Sequence, residues 1–167
     1  MKCITLHQPY ASLIACGTKR CETRSWAPPK SMIGERIAIH AAKRIPHERP
    51  PFETGEIVGS LIKAGMYPIK SSLSIPLALR PLPRGVVLCT AVIQGAFKIN
   101  RVSRKKYAFG EGFGRECMVL TDKWGDYSVG RWVWMLTHVK VLDEPVQVRG
   151  QQRIYSVDLD ACKGGAS

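Results

Sequence analysis

Period-two alternation of apolar and polar residues predicts a β-rich α+β domain. Two long β-branched, alternating segments carry the prediction, residues 85–99 and 131–142. Shorter alternating runs at 2–6, from Cys21 onward and at 36–42 add to them. Helical spacing of apolar residues is confined to 9–16 and 51–66.

Taken in order, residues 2–6 read as the first strand. Pro9 opens a short helix that runs to Cys16, with Ala11, Leu13, Ile14 and Ala15 inside and Gly17 where a left-handed stop is wanted. The turn launches a second strand, in which alternation puts Glu22 and Arg24 on one face and Cys21 and Thr23 on the other. A loop with Pro28 and Pro29 leads to the third strand, 36–42, where small residues beside His40 leave space. Ile57, Val58, Leu61 and Ile62 predict one amphipathic helix within 51–66, weakened by Gly55, Gly59 and Gly65. Pro68, Pro76, Pro81 and Pro83 exclude long regular structure from 66 to 84 and predict an extended apolar loop packed over the domain.

The two long strands are natural central members of a barrel, and Trp132 and Trp134 on the second of them are assigned to the core. Between them a loop is expected, holding a basic run at 101–107 and Phe109-Gly110-Glu111-Gly112-Phe113-Gly114. That glycine-rich piece lacks the Gly-Lys-Ser/Thr ending of a phosphate loop and reads as flexible chain. The tail, 161–167, ends in Gly-Gly-Ala-Ser and is expected to be mobile, which leaves 1–160 as one domain. A length of 167 residues with 45% hydrophobic content suits one core and leaves no room for a second.

Net charge is +12, from 25 Lys and Arg against 13 Asp and Glu, which favours an anionic partner. The excess is uneven. Between Glu56 and Glu111 no acidic residue occurs, while Arg104, Lys105 and Lys106 crowd the densest basic run, with Tyr107 following. Such a segment draws phosphates by counterion release, and Tyr107 offers a ring for stacking; a solvated charged loop is the plainer reading. No run of roughly 18 apolar residues exists and Met1–Thr5 opens a strand in place of a charged-then-apolar leader, so no membrane contact and a cytoplasmic location are expected. Six scattered cysteines without a Cys-x-x-Cys pair read as reduced thiols. No second histidine or acid stands at metal or triad spacing from His40, so neither a metal nor an organic cofactor is indicated.

Gly17-x-Lys19-x-x-Glu22-x-Arg24, behind Leu6-His7-Gln8-Pro9-Tyr10-Ala11-Ser12-Leu13-Ile14, resembles the ASCH domain (activating signal cointegrator homology), a branch of the PUA-like superfamily. The segments 36–43, 82–87, 125–134 and 145–150 resemble that family in the same order, so the likeness runs from about residue 4 to about residue 157. The resemblance implies a small PUA-like mixed β-barrel with helices packed around it, and a cleft lined by the motif. Lys19, Glu22 and Arg24 taken alone read equally as a surface salt-bridge cluster. In the cleft, Glu22 flanked by two cations would accept the N–H donors of a base, leaving Arg24 and Lys19 for phosphate.

Other positions are candidates with plainer alternatives. Gln8 and Tyr10 border the implied cleft or cap and pack; Trp26 is a buried aromatic or a stacking ring. Asp126-Tyr127-x-x-Gly130-Arg131 is a turn entering a strand, which the resemblance puts at the cleft mouth, so Tyr127 and Arg131 are candidate ligand contacts. His40 and Lys43 end the third strand, and a lone histidine is more often a satisfied packing residue.

The leading expectation is a monomeric nucleic-acid-binding domain for RNA or a modified nucleotide in a single strand, with duplex DNA also open. The enzyme alternative is a hydrolase, either a ribonuclease or an amidohydrolase on acylated cytidine, the latter an activity of some small proteins that resemble this family. Their Lys matches Lys19, but Glu22 stands where their Thr would, leaving Glu22 as base toward water and Lys19 as oxyanion partner. Glu111, Glu116 and Glu144 are equal candidates for a distant acid. A protein-interaction module is the third reading.

Overall fold

The computed structural model describes residues 1–44, 54–63, 82–104 and 106–161, with the side chains of 54–58 excepted. Lys105, residues 66–81 of the proline-rich stretch and 162–167 of the expected tail lie outside the described residues.

The described residues form eight strands, β1 (Lys2–Leu6), β2 (Cys21–Arg24), β3 (Arg36–Ala41), β4 (Val86–Ser103), β5 (Tyr107–Gly112), β6 (Arg115–Leu120), β7 (Trp132–Gln147) and β8 (Ile154–Ser156). Two helices, α1 (Tyr10–Ala15) and α2 (Thr54–Lys63), and a 3-10 turn at Lys30–Met32 are the other elements among the described residues. The result is a mostly mixed sheet with few helices, as an α+β chain requires. Backbone hydrogen bonds order the strands β2-β7-β4-β3-β1-β8, with β5 on β4 and β6 on β5. Among the described residues this order has two ends, the four-residue β2 and the three-residue β8, so the sheet there is not closed into the expected barrel.

The chain divides into two compact units, each built from separated segments. The first comprises Met1–Thr18, Ile37–Thr90 and Val139–Ser167. In it β1 pairs parallel with β3 and antiparallel with β8, and Cys3, Ala38, Val87, Val146, Tyr155 and Val157 form a buried cluster. Helix α1 buries Ala11 through Ala15, and Gly17, at φ +76°, turns the chain out of it with its N–H donated to Ile14 O.

The second unit comprises Lys19–Arg36 and Ala91–His138. Here β2 runs antiparallel to β7, with Glu22 opposite Trp134 and Arg24 opposite Trp132. The loop expected between the long strands is instead a meander: β4 extends to Ser103, β5 pairs back on it, and β6 pairs on β5. A Cβ on Gly110 would run into Lys98 O and one on Gly112 into Ala96 O, so both mark a close strand approach and not loose chain. Phe113 and Gly114, at φ 50° and 82°, form the tight turn that joins β5 to β6. Trp132 is also corrected: Trp134 is fully buried, whereas Trp132 at the strand's entrance is only half-covered.

Gly110→Ala should therefore destabilise the protein by about 3 kcal/mol or more through backbone overlap. Gly114→Ala, with open space but a left-handed φ, should cost only about 1 kcal/mol. Urea midpoints check this; equal midpoints for the two variants would refute the close approach.

Candidate functional site

Strand β2 places the ionic motif. Glu22 and Arg24 point to the same side, and Arg24 Nε lies 2.9 Å from Glu22 Oε1. Lys19, just ahead of the strand, brings Nζ to 3.7 Å from Glu22 Oε2 and donates to Trp124 O at 3.4 Å. The carboxylate is thus held between two cations. Burial sets the chemistry: Lys19 is 1% and the Glu22 side chain 10% exposed, while Arg24 at 24% is the most open of the three. A buried ammonium is tolerable only when paired and hydrogen-bonded, and Glu22 with the Trp124 carbonyl supplies both conditions.

The opposite face of β2 anchors the turn before β7. Thr23 Oγ1 accepts from the Asp126 N–H at 3.0 Å, and Thr23 O accepts from Arg131 Nη2 at 3.3 Å. Asp126 and Arg131 pair at 3.4 Å. The Ser128 hydroxyl, with help from Arg131, holds the Asp126 carboxyl below its ordinary pKa. Tyr127 lies buried with Cys21, Phe97, Ile99, Ala108 and Val133. Burial first, and then the charge of Asp122, raises the pKa of its phenol and pushes the Cys21 thiol up to about 11. Both stay neutral. Trp26, just beyond β2, meets Trp134 edge-on at 4.9 Å and accepts the Trp134 indole N–H at its carbonyl.

Within the first unit, Gln8 is 2% exposed, donates to Pro83 O at 2.7 Å and accepts the Ser12 N–H, which is a capping role. Tyr10 is half-buried and Lys43 exposed. His40 is enclosed: Nε2 donates to Val148 O at 3.1 Å and Nδ1 accepts from Thr5 Oγ1 at 3.2 Å, a tautomer assigned from those partners. Thr5 Oγ1 in turn meets the Tyr155 hydroxyl at 3.1 Å. Burial pulls the His40 pKa below its ordinary 6.5, against the opposing pull of the Val148 carbonyl.

Arg104, at φ 50°, and Lys106 stand exposed at the turn between β4 and β5, and Lys106 Nζ lies 5.6 Å from the Tyr107 ring centre. Lys98, Arg101 and Arg115 are exposed on the same meander, with Arg101 4.1 Å above the Phe109 ring. Arg115 was not singled out from the sequence, although its place directly after the Phe113-Gly114 turn marks it as a hairpin residue. Glu111 and Glu116 sit opposite each other across β5 and β6, and Glu144 is exposed on β7.

The model of the ASCH domain family matches residues 4–145. No curated protein matches the chain. No helix among the described residues is long and apolar enough to cross a membrane.

Two outcomes test this geometry. Removing Glu22 strands the buried Lys19, so Glu22→Leu should cost about 3–5 kcal/mol, and adding Lys19→Met should recover part of that loss in a double-mutant cycle. Additive single effects would refute the coupling. For His40, the unfolded state takes up a proton more readily than the folded one. Its contribution to stability is thus fully present above about pH 6.5 and is lost as pH falls through the lower folded pKa. Urea midpoints measured from pH 7.5 to 5 should fall in the wild type and fall less steeply in His40→Gln; parallel curves would contradict it.

Proposed function

The chain belongs to the ASCH domain family, and on that premise we propose that it binds nucleic acid, preferentially single-stranded RNA or a strand carrying a modified nucleotide. One observation carries this reading: the β4–β5–β6 meander exposes Lys98, Arg101, Arg104, Lys106 and Arg115 and interleaves them with Tyr107, Phe109 and Phe113. Cations track a phosphate backbone, and aromatic faces accept unpaired bases. Stacking of that kind favours a single strand over a duplex, whose bases are already stacked. Arg24, as the most open residue of the ionic motif, is the one that contributes to phosphate, while Lys19 and Glu22 fix its position.

A PUA-like fold acting as a monomer in the cytoplasm is part of the same proposal. The hydrolase alternative has less support. It needs a substrate carbonyl against Lys19 Nζ, and that amine is enclosed and held by Glu22 and Trp124 O.

Titrating labelled single-stranded RNA at several salt concentrations should give a falling log–log line with slope roughly −2 to −3.5, from three to five phosphates neutralised at about 0.7 each. Arg104→Glu with Lys106→Glu should weaken binding and shrink the slope by roughly 1.4. Affinity too weak to measure at low salt, or a slope the charge reversal leaves unchanged, would refute the reading.

A further inference from the structure

We propose that an open groove of about 580 Å³ in the second unit is a seat for a nucleobase, separate from the enclosed ionic motif; the inference rests on the nucleic-acid reading above. Its walls are Lys98 and Asn100 on β4, Glu111 and Phe113 at the β5–β6 hairpin, and Val129 and Trp132 at the entrance to β7. The volume lies inside the ~300–1,000 Å³ range of small-ligand sites, enough for one base with its sugar.

Three features select that occupant. Phe113 and Val129 are 42% and 65% exposed and Trp132 is half-covered, so apolar and aromatic surface stands open to water where a core would have closed over it. Cations rim it: Lys98 is in the wall, and Lys30 Nζ stands 6.0 Å from the Phe113 ring centre. Arg24 sits directly opposite Trp132 in the β2–β7 register. Directly paired residues project from one face of a sheet, so the most open motif residue shares a face with the groove's indole. Asn100 and Glu111 supply an amide and a carboxylate, which accept the exocyclic amine and ring N–H of a base and give the seat a means of discrimination. Aromatic walls, a polar edge and a basic rim together match a nucleotide's ring, hydrogen-bonding edge and phosphate.

The test compares two labelled RNA strands of equal length, one with bases and one abasic, against the wild type, Phe113→Ala, Phe113→Tyr and Val129→Glu. Thermal midpoints verify that each variant folds, since both positions are at the surface. Phe113→Ala should weaken the base-bearing strand roughly 10-fold or more while barely moving the abasic one, and Phe113→Tyr should restore affinity. Val129→Glu should weaken both strands. Equal losses on the two strands for Phe113→Ala would overturn the base seat while leaving backbone binding intact. Wild-type affinity for both strands in every variant would overturn the seat while leaving the nucleic-acid reading intact. No RNA binding by the wild type would overturn the seat and the nucleic-acid reading together.

Discussion

A lysine ammonium with 1% exposure must be neutralised where it sits, and much of the second unit follows from that requirement. Glu22 meets it, Arg24 balances the second carboxylate oxygen, and the Trp124 carbonyl accepts a hydrogen bond from the ammonium. Three residues separated by two short steps in sequence are thereby fixed relative to the segment around Trp124, far along the chain. Such a network is a poor source of net stability, because desolvation consumes most of the attraction. Its value is in specifying position: Lys19 has one place to go, and the strand that follows is pinned with it.

Strand β2 then serves two faces at once. Its charged face carries Glu22 and Arg24 opposite Trp134 and Trp132, and its other face offers Thr23 to the Asp126–Arg131 turn. That turn sets where β7 begins, and hence how much of Trp132 is covered. On the neighbouring strands, Gly110 and Gly112 let β5 lie close against β4, which brings the Phe113-Gly114 turn and its flanking cations into one surface. Internal charge fixes the frame, and charge and aromatic rings stand exposed together on the meander.

Much of this was legible in the sequence where one local rule decided the outcome. Pro9 and Gly17 bracket α1, and strict alternation from Cys21 puts Glu22 and Arg24 together, as the 2.9 Å contact shows. The long strands were legible as well, since β-branched alternation persists through β4 and β7. The meander was hidden because glycine has two meanings in a sequence, loose chain or close backbone approach, and only the neighbour at Lys98 O distinguishes them. Burial of Lys19 was equally hidden: a charged residue beside a turn reads as solvated unless the partner carbonyl of Trp124, 105 residues away, is known. Trp132 and Trp134 share a face by alternation, so sequence gave them one fate, and position along the strand gave them two.

Lysine footprinting tests the central claim most directly: brief acylation of the native protein, with and without single-stranded RNA, read residue by residue by mass spectrometry. The account predicts that Lys19 resists modification in both conditions, while Lys98 and Lys106 react freely alone and are shielded by RNA. Fast modification of Lys19 in the free protein, with protection by RNA, would contradict it and return the ligand to the motif itself.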